Sequence, residues 1–221
     1  MYTTHRKNLF NLHQIALFLG DLWIILVILT HTIVEAKPQA VQNNGNSSIA
    51  PRFGAHGNDV NEYAYVSSWP ILDRKLGSVS AVAIDGAGNV VIFHRGSHVW
   101  KFESFDAKDV YQEAADGPIP QHTVLKFTPD TGSLLQEWGS NLFYMPHGLT
   151  IDHEQNYWLT DVALHQVFKF DLNHSTTEPV LTLGTRFEPG NDMYHYCKPT
   201  AVAVLKSGEF FVADGYCNGR I

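Results

Sequence analysis

Charge is scarce in this chain and leans one way. Only 17% of its residues are Asp, Glu, Lys or Arg, and 15 basic residues face 22 acidic ones, for a net charge of -7. No basic run follows the N-terminal leader, so there is no surface for a phosphate backbone, and nucleic acid is excluded as a partner. Low charge together with 12% aromatic residues also excludes global disorder. Cysteine is scarcer still: Cys197 and Cys217 are the two present, with 19 residues between them. A zinc site of cysteine type needs more thiols or a closer spacing, so none is expected. Helical periodicity is missing beyond the leader, which leaves strands to build the fold. With 221 residues, 44% of them hydrophobic, there is enough chain for one sizeable core.

The N-terminus has the layout of a targeting segment. Arg6 and Lys7 precede an apolar stretch from Ile15 to Val34, and Val34-Glu35-Ala36 offers small residues where a signal peptidase reads. A signal peptide over 1–36 is expected, cleaved after Ala36 or, as a second choice, after Ala40. The competing reading is an uncleaved anchor, because the apolar stretch is close to spanning length. Asp21 and His31 interrupt it, at a cost in hydrocarbon. The chain is therefore expected in the secretory lumen or outside the cell, with a membrane as partner only if the leader stays. In that oxidising setting Cys197 and Cys217 are expected to pair, two buried free thiols being the alternative. Residues 37–70 have the composition of a polar linker. Asn46-Ser47-Ser48 and Asn173-His174-Ser175 are glycosylation sequons, which matter only if the leader delivers the chain to the right compartment.

From Val79 onward one pattern recurs. Val79 to Asp85 leads through Gly86-Ala87-Gly88-Asn89 into Val90-Val91-Ile92-Phe93. Pro146 to Asp152 leads through a polar turn into Tyr157-Trp158-Leu159-Thr160-Asp161, and Pro199 to Val204 leads through another into Phe210 to Asp214. Each copy is an alternating strand, a hairpin-type turn and a second strand rich in β-branched and aromatic residues. The first two copies continue with two more strands each. The unit is thus a four-stranded antiparallel meander, repeated after 67 and then 53 residues. That predicts an all-β fold of β-propeller blades, with an insertion of roughly Gly96 to His122 in the first. The third copy stops at Ile221, so about two and a half blades are expected, and the sequence is read as a truncated product. A small complete β-sandwich is the alternative.

Innermost propeller strands line the central channel. Val82, Leu149 and Val202 align there, with Ser80, His147 and Thr200 two residues earlier. Residues two apart share a face, so His147 is expected at the channel or its mouth, either as a structural histidine or as a metal ligand. His94, His98, His153 and His165 do not align with it. Arg95, ending the second strand of the first blade, carries a planar fork of donors suited to a carboxylate, or else makes a surface ion pair. Tyr216 follows the second strand of the third blade, as a packing residue or as a base beside a cation.

The motifs Val91-Ile92-Phe93-His94-Arg95-Gly96, Asn141 to Leu149, Thr160 to Lys169 and Asp214-Gly215-Tyr216-Cys217-Asn218 resemble the peptidyl-α-hydroxyglycine α-amidating lyases. The resemblance is to the N-terminal part of the stand-alone invertebrate form and runs from about Val79 to Ile221. It implies a six-bladed propeller of NHL-like blades that cleaves a peptidyl-α-hydroxyglycine into a peptide amide and glyoxylate, as a monomer, with zinc and calcium as cofactors. It implies that His147 is one of three histidine zinc ligands, that Arg95 holds the substrate carboxylate, and that Tyr216 is the general base. It also implies that Val82 and Leu149 bind a structural calcium through backbone carbonyls, and that Cys197 and Cys217 form one of the family's disulfides. The other zinc histidines and the remaining calcium ligand are expected in blades beyond residue 221. A non-catalytic secreted binding module is the alternative function.

Overall fold

The computed structural model describes residues 66–221. The leader, its cleavage site and the sequon at Asn46 lie outside the described residues, as does most of the stretch read as linker. Within the described residues the chain is all-β apart from two single turns of 3-10 helix. Strands β1 (Val79–Ile84), β2 (Val90–His94), β3 (Val124–Phe127) and β4 (Leu134–Trp138) form one antiparallel sheet in that order. A second follows from β5 (Pro146–Ile151), β6 (Tyr157–Asp161), β7 (Gln166–Phe170) and β8 (Leu181–Leu183). The hairpin β9 (Pro199–Val204) and β10 (Phe210–Asp214) makes a third sheet. The innermost strands β1, β5 and β9 lie side by side. These are successive propeller-type blades, not the two facing layers of a sandwich.

Two-residue alternation builds the packing. Val91 and Phe93 of β2 point toward the second blade, where with Trp138, Phe143 and Phe170 they form the largest core. Ile92 points the other way, joining Leu125 and Phe127 on the outer face. That face is covered by Trp69, Leu72 and Leu76. Trp69 lies 5.7 Å from the Phe127 ring, and its indole N–H donates to the Thr128 carbonyl at 3.3 Å. The last residues of the presumed linker thus pack on the folded body. Between the second and third blades Trp158 and Val167 meet Val202 and Val212, and the Trp158 ring lies 4.7 Å from Phe210.

The turns repeat as well. Asp85 accepts from the backbone N–H of Ala87 and Asn89, and Asp152 does the same for Glu154 and Asn156. An aspartate oxygen here replaces backbone acceptors that the turn cannot supply. Asp152 also takes the indole N–H of buried Trp158 at 2.9 Å, tying the hairpin to the inter-blade core.

All three innermost strands are irregular at one place. Register slips between Val79 and Ala81 in β1, between Pro146 and Leu149 in β5, and across the Pro199–Ala201 step of β9. An extra residue on one strand of an antiparallel pair bends it and re-aims a side chain. The residues at these bulges are Ser80, His147 and Thr200. The expectation that His147 shares a face with Leu149 fails for this reason: the bulge breaks the alternation, Leu149 enters the core and His147 remains partly open.

Candidate functional site

Arg95, His147 and Tyr216 come from three blades and meet at the ends of the innermost strands. His147 is fixed first. Its Nδ1 lies 3.0 Å from the Thr200 carbonyl, which can only accept, so Nδ1 carries the proton and Nε2 is left with its lone pair. That Nε2 accepts from the Tyr216 hydroxyl at 3.0 Å. Burial pushes the imidazole below its ordinary value, the Thr200 carbonyl pulls it up, and the Arg95 charge pushes it down again. The net direction is downward, so His147 is neutral at pH 7 and has a nitrogen to offer. Gly148 makes the approach possible, because a Cβ there would meet the Thr200 oxygen at 2.3 Å.

Arg95 follows β2. Its Nε donates to the Pro146 carbonyl at 3.0 Å, next to His147. Among the described residues that is the one hydrogen bond of its side chain, so the two terminal nitrogens stay available to an anion. Burial lowers its affinity for a proton, while Tyr216 and Asp161 oppose that. Tyr216 is 56% exposed, so its hydroxyl is reachable from solvent.

The ends of the second strands hold these residues. Asp161, fully buried, accepts from four backbone N–H groups. Oδ2 takes Tyr144 at 2.7 Å and Met145 at 2.8 Å, and Oδ1 takes Ala163 at 2.9 Å and Leu164 at 3.0 Å. It thereby fixes the chain entering Pro146-His147. Asp214 repeats the device, accepting from Cys197 N–H at 2.7 Å and from the side chains of Asn218 and Arg220. His94 holds the equivalent place in the first blade, its Nδ1 accepting from Gly96 N–H at 3.0 Å just beyond Arg95. Cys197 and Cys217 form a disulfide with Cα atoms 5.5 Å apart, so the residue after Tyr216 is tied to the start of β9.

The insertion between β2 and β3 arches over this end. His98 Nδ1 lies 2.8 Å from the Tyr144 carbonyl, and Ile119 N–H donates to the Phe143 carbonyl at 2.8 Å. The buried Lys198 ammonium sits 2.6 Å from Asp109 and 4.2 Å above the Phe105 ring. A desolvated charge of this kind is retained only with such partners. Trp100 of the arch lies beside all three site residues and was not singled out from the sequence. Neither was the bracing by Asp161, although its recurrence as Asp214 in the repeat is a legible signal.

Val82 and Leu149 lie on neighbouring innermost strands, the first 63% exposed and the second buried. Calcium takes six to eight oxygens, and two carbonyls are a small part of that number. One cluster of metal-ligand type occurs among the described residues: Asp109, Cys197 and Cys217. Its two sulfurs are joined to each other and cannot act as thiolates, so it is no zinc site. A separate groove of about 680 Å³, lined by Asp85, Lys126, Gln155 and Tyr157, lies at the opposite ends of the strands. The sequon residue Asn173 is exposed at its edge.

Residues 196–221 match the NHL repeat model. Over 161 residues, 73% of this chain, the sequence is 56% identical to peptidyl-alpha-hydroxyglycine alpha-amidating lyase 1 of Drosophila melanogaster, covering 30% of that protein. Lyase 2 of the same organism is 49% identical over 156 residues, which are 71% of this chain and 38% of that protein. Peptidylglycine alpha-amidating monooxygenase of Rattus norvegicus is 55% identical over 154 residues, 69% of this chain and 16% of that protein. The chain spans well under half the length of these relatives. Over about 70% of its own length, this chain is homologous to the peptidyl-alpha-hydroxyglycine alpha-amidating lyases.

Proposed function

We propose that the protein to which this chain belongs performs the lyase step of peptide C-terminal amidation. The observation that carries this reading is the meeting of an imidazole, a guanidinium and a phenol from three successive blades. The substrate, R–CO–NH–CH(OH)–COO⁻, has a carboxylate beside a carbinolamide carbon. The free terminal nitrogens of Arg95 bind that carboxylate in a forked pair and orient it. Tyr216 acts as the phenolate: its exposed hydroxyl first loses its proton to solvent, which also frees His147 Nε2, and Oη then takes the proton of the α-hydroxyl. The C–N bond then breaks, its electron pair stays on nitrogen, and a proton returned to that nitrogen gives the peptide amide. The former hydroxyl oxygen becomes the aldehyde of glyoxylate.

His147 offers an oriented, neutral nitrogen of the kind zinc takes. A single imidazole does not hold zinc, so the metal needs further ligands, which this reading assigns to blades beyond residue 221. When bound, zinc supplies Lewis-acid polarisation at the substrate oxygen. A calcium at the carbonyls of Val82 and Leu149 is proposed as a structural ion between blades. We also propose a secreted or lumenal protein, with glycosylation at Asn46 and at the exposed Asn173.

The test is glyoxylate release from a peptidyl-α-hydroxyglycine by the intact protein, with and without added zinc. Tyr216→Phe removes only the hydroxyl and is expected to lower kcat at least a hundredfold with the fold unchanged by circular dichroism. Undiminished turnover in that variant would refute Tyr216 as the base. Absence of glyoxylate from the wild type, metal-loaded, would favour a binding module.

A further inference from the structure

We propose that Trp100 is a positioning residue of this site: its indole sets the Arg95 guanidinium and the Tyr216 ring at a fixed spacing, between which a small carboxylate docks. The catalytic part of this proposal rests on the amidation reading above. The contacts themselves do not.

Arg95, His147 and Tyr216 belong to three different sheets, so hydrogen bonding within any one sheet does not set the distances among them. Trp100 touches all three. The Arg95 guanidinium carbon lies 5.2 Å from the centre of its ring. The Tyr216 ring lies 5.2 Å away at 61°, and the His147 ring 6.3 Å away at 68°. Both aromatic pairs have the edge-to-face geometry that ring quadrupoles favour. The guanidinium contact is a cation–π interaction, stronger because both partners are partly desolvated.

Trp100 can serve as a reference point because its own placement is independent of those partners. The arch that carries it is pinned to the second blade through His98 and Tyr144 and through Ile119 and Phe143. It is pinned to the third blade through Asp109 and Lys198. Phe105 of the same arch backs the indole at 5.5 Å. The ring also presents apolar surface next to the free end of Arg95. A ligand held by its carboxylate there places its neighbouring group against the indole.

A double-mutant cycle tests this, with Trp100→Leu, Trp100→Phe and Arg95→Ala made singly and combined. Two readouts are used: kcat/KM for a peptidyl-α-hydroxyglycine, and the dissociation constant of glyoxylate from isothermal titration calorimetry, which does not depend on the tryptophan being replaced. Trp100→Leu is expected to lower kcat/KM and weaken glyoxylate about tenfold, the combined scale of one cation–π contact and one aromatic pair. Trp100→Phe keeps a ring face and is expected to recover most of both. With Arg95→Ala present, the further effect of Trp100→Leu on glyoxylate is expected to fall below about twofold. An equal penalty in the two backgrounds, or Phe behaving like Leu, overturns the proposal. If the wild-type protein releases no glyoxylate from substrate, the amidation reading fails alone, and the binding cycle still decides the role of Trp100.

Discussion

Asp161→Asn is the substitution whose cost follows most directly from the geometry. The change keeps size and shape but turns one carboxylate oxygen into an NH2 group. Each oxygen now accepts two backbone N–H groups, at 2.7 and 2.8 Å on one side and 2.9 and 3.0 Å on the other. Whichever way the amide turns, two N–H donors face a donor. The site is fully buried, so water does not replace the lost acceptor. An unsatisfied buried polar group costs about 1–3 kcal/mol. Two such groups come to roughly 2–6 kcal/mol, less what is gained by no longer burying a charge. Burial already favours a proton on Asp161 and the four N–H donors oppose it, so this offset is real, and we expect a net loss of about 2–4 kcal/mol. The assay is urea unfolding followed by circular dichroism, with the midpoint shifting and the slope unchanged. A loss below about 0.5 kcal/mol would mean that the four N–H groups find other partners, and the bracing role assigned to Asp161 would be wrong.

Two other perturbations probe the same scaffold. Burial holds the His165 imidazole down at about 4, with its Nδ1 accepting from Lys198 N–H at 3.0 Å. The unfolded chain therefore takes up a proton near 6.5 that the folded chain refuses, and stability falls as pH drops from 6.5 toward about 4, by up to roughly 3 kcal/mol. His165→Asn tolerates the positive φ of 55° and keeps an acceptor; it is expected to flatten that acid loss in unfolding curves taken between those pH values, and an unchanged slope would count against the assignment. Replacing both Cys197 and Cys217 by alanine opens a loop with a sequence separation of 20, which on chain entropy costs about 3 kcal/mol. It is expected to lower the melting temperature and weaken glyoxylate binding together; a lower melting temperature with unaltered binding would show that the disulfide does not hold the Tyr216 loop.

Much of the architecture was legible because the blade repeat writes its period into the sequence more than once. Strand, turn and strand recur from Val79, Pro146 and Pro199, and the first two copies each run into an aspartate, at 85 and 152, before the turn. The disulfide was legible from scarcity, since two cysteines have one possible pairing. The bulges were not. A slip of one residue leaves the apolar pattern nearly intact, so nothing in β5 announces that His147 and Leu149 part company. Trp100 was hidden for another reason: an arch without regular structure has no period from which to infer facing. What brings its indole to the site is a pair of hydrogen bonds, one from the His98 side chain and one from the Ile119 N–H, to the backbone carbonyls of Tyr144 and Phe143, about 40 residues from Trp100 along the chain, and backbone acceptors carry no residue identity.

The recurring kink of the inner strands gives three different side chains the same kind of corner. At that corner one blade carries a serine and another a threonine, each turning its hydroxyl back onto the neighbouring strand, at Phe93 and Ala213. The blade between them carries an imidazole that reaches across to the adjacent blade instead. The middle corner alone of the three is followed by a glycine, Gly148, where the others have Ala81 and Ala201, so Ser80→His or Thr200→His would add a nitrogen donor at the rim without the close strand approach that seats His147.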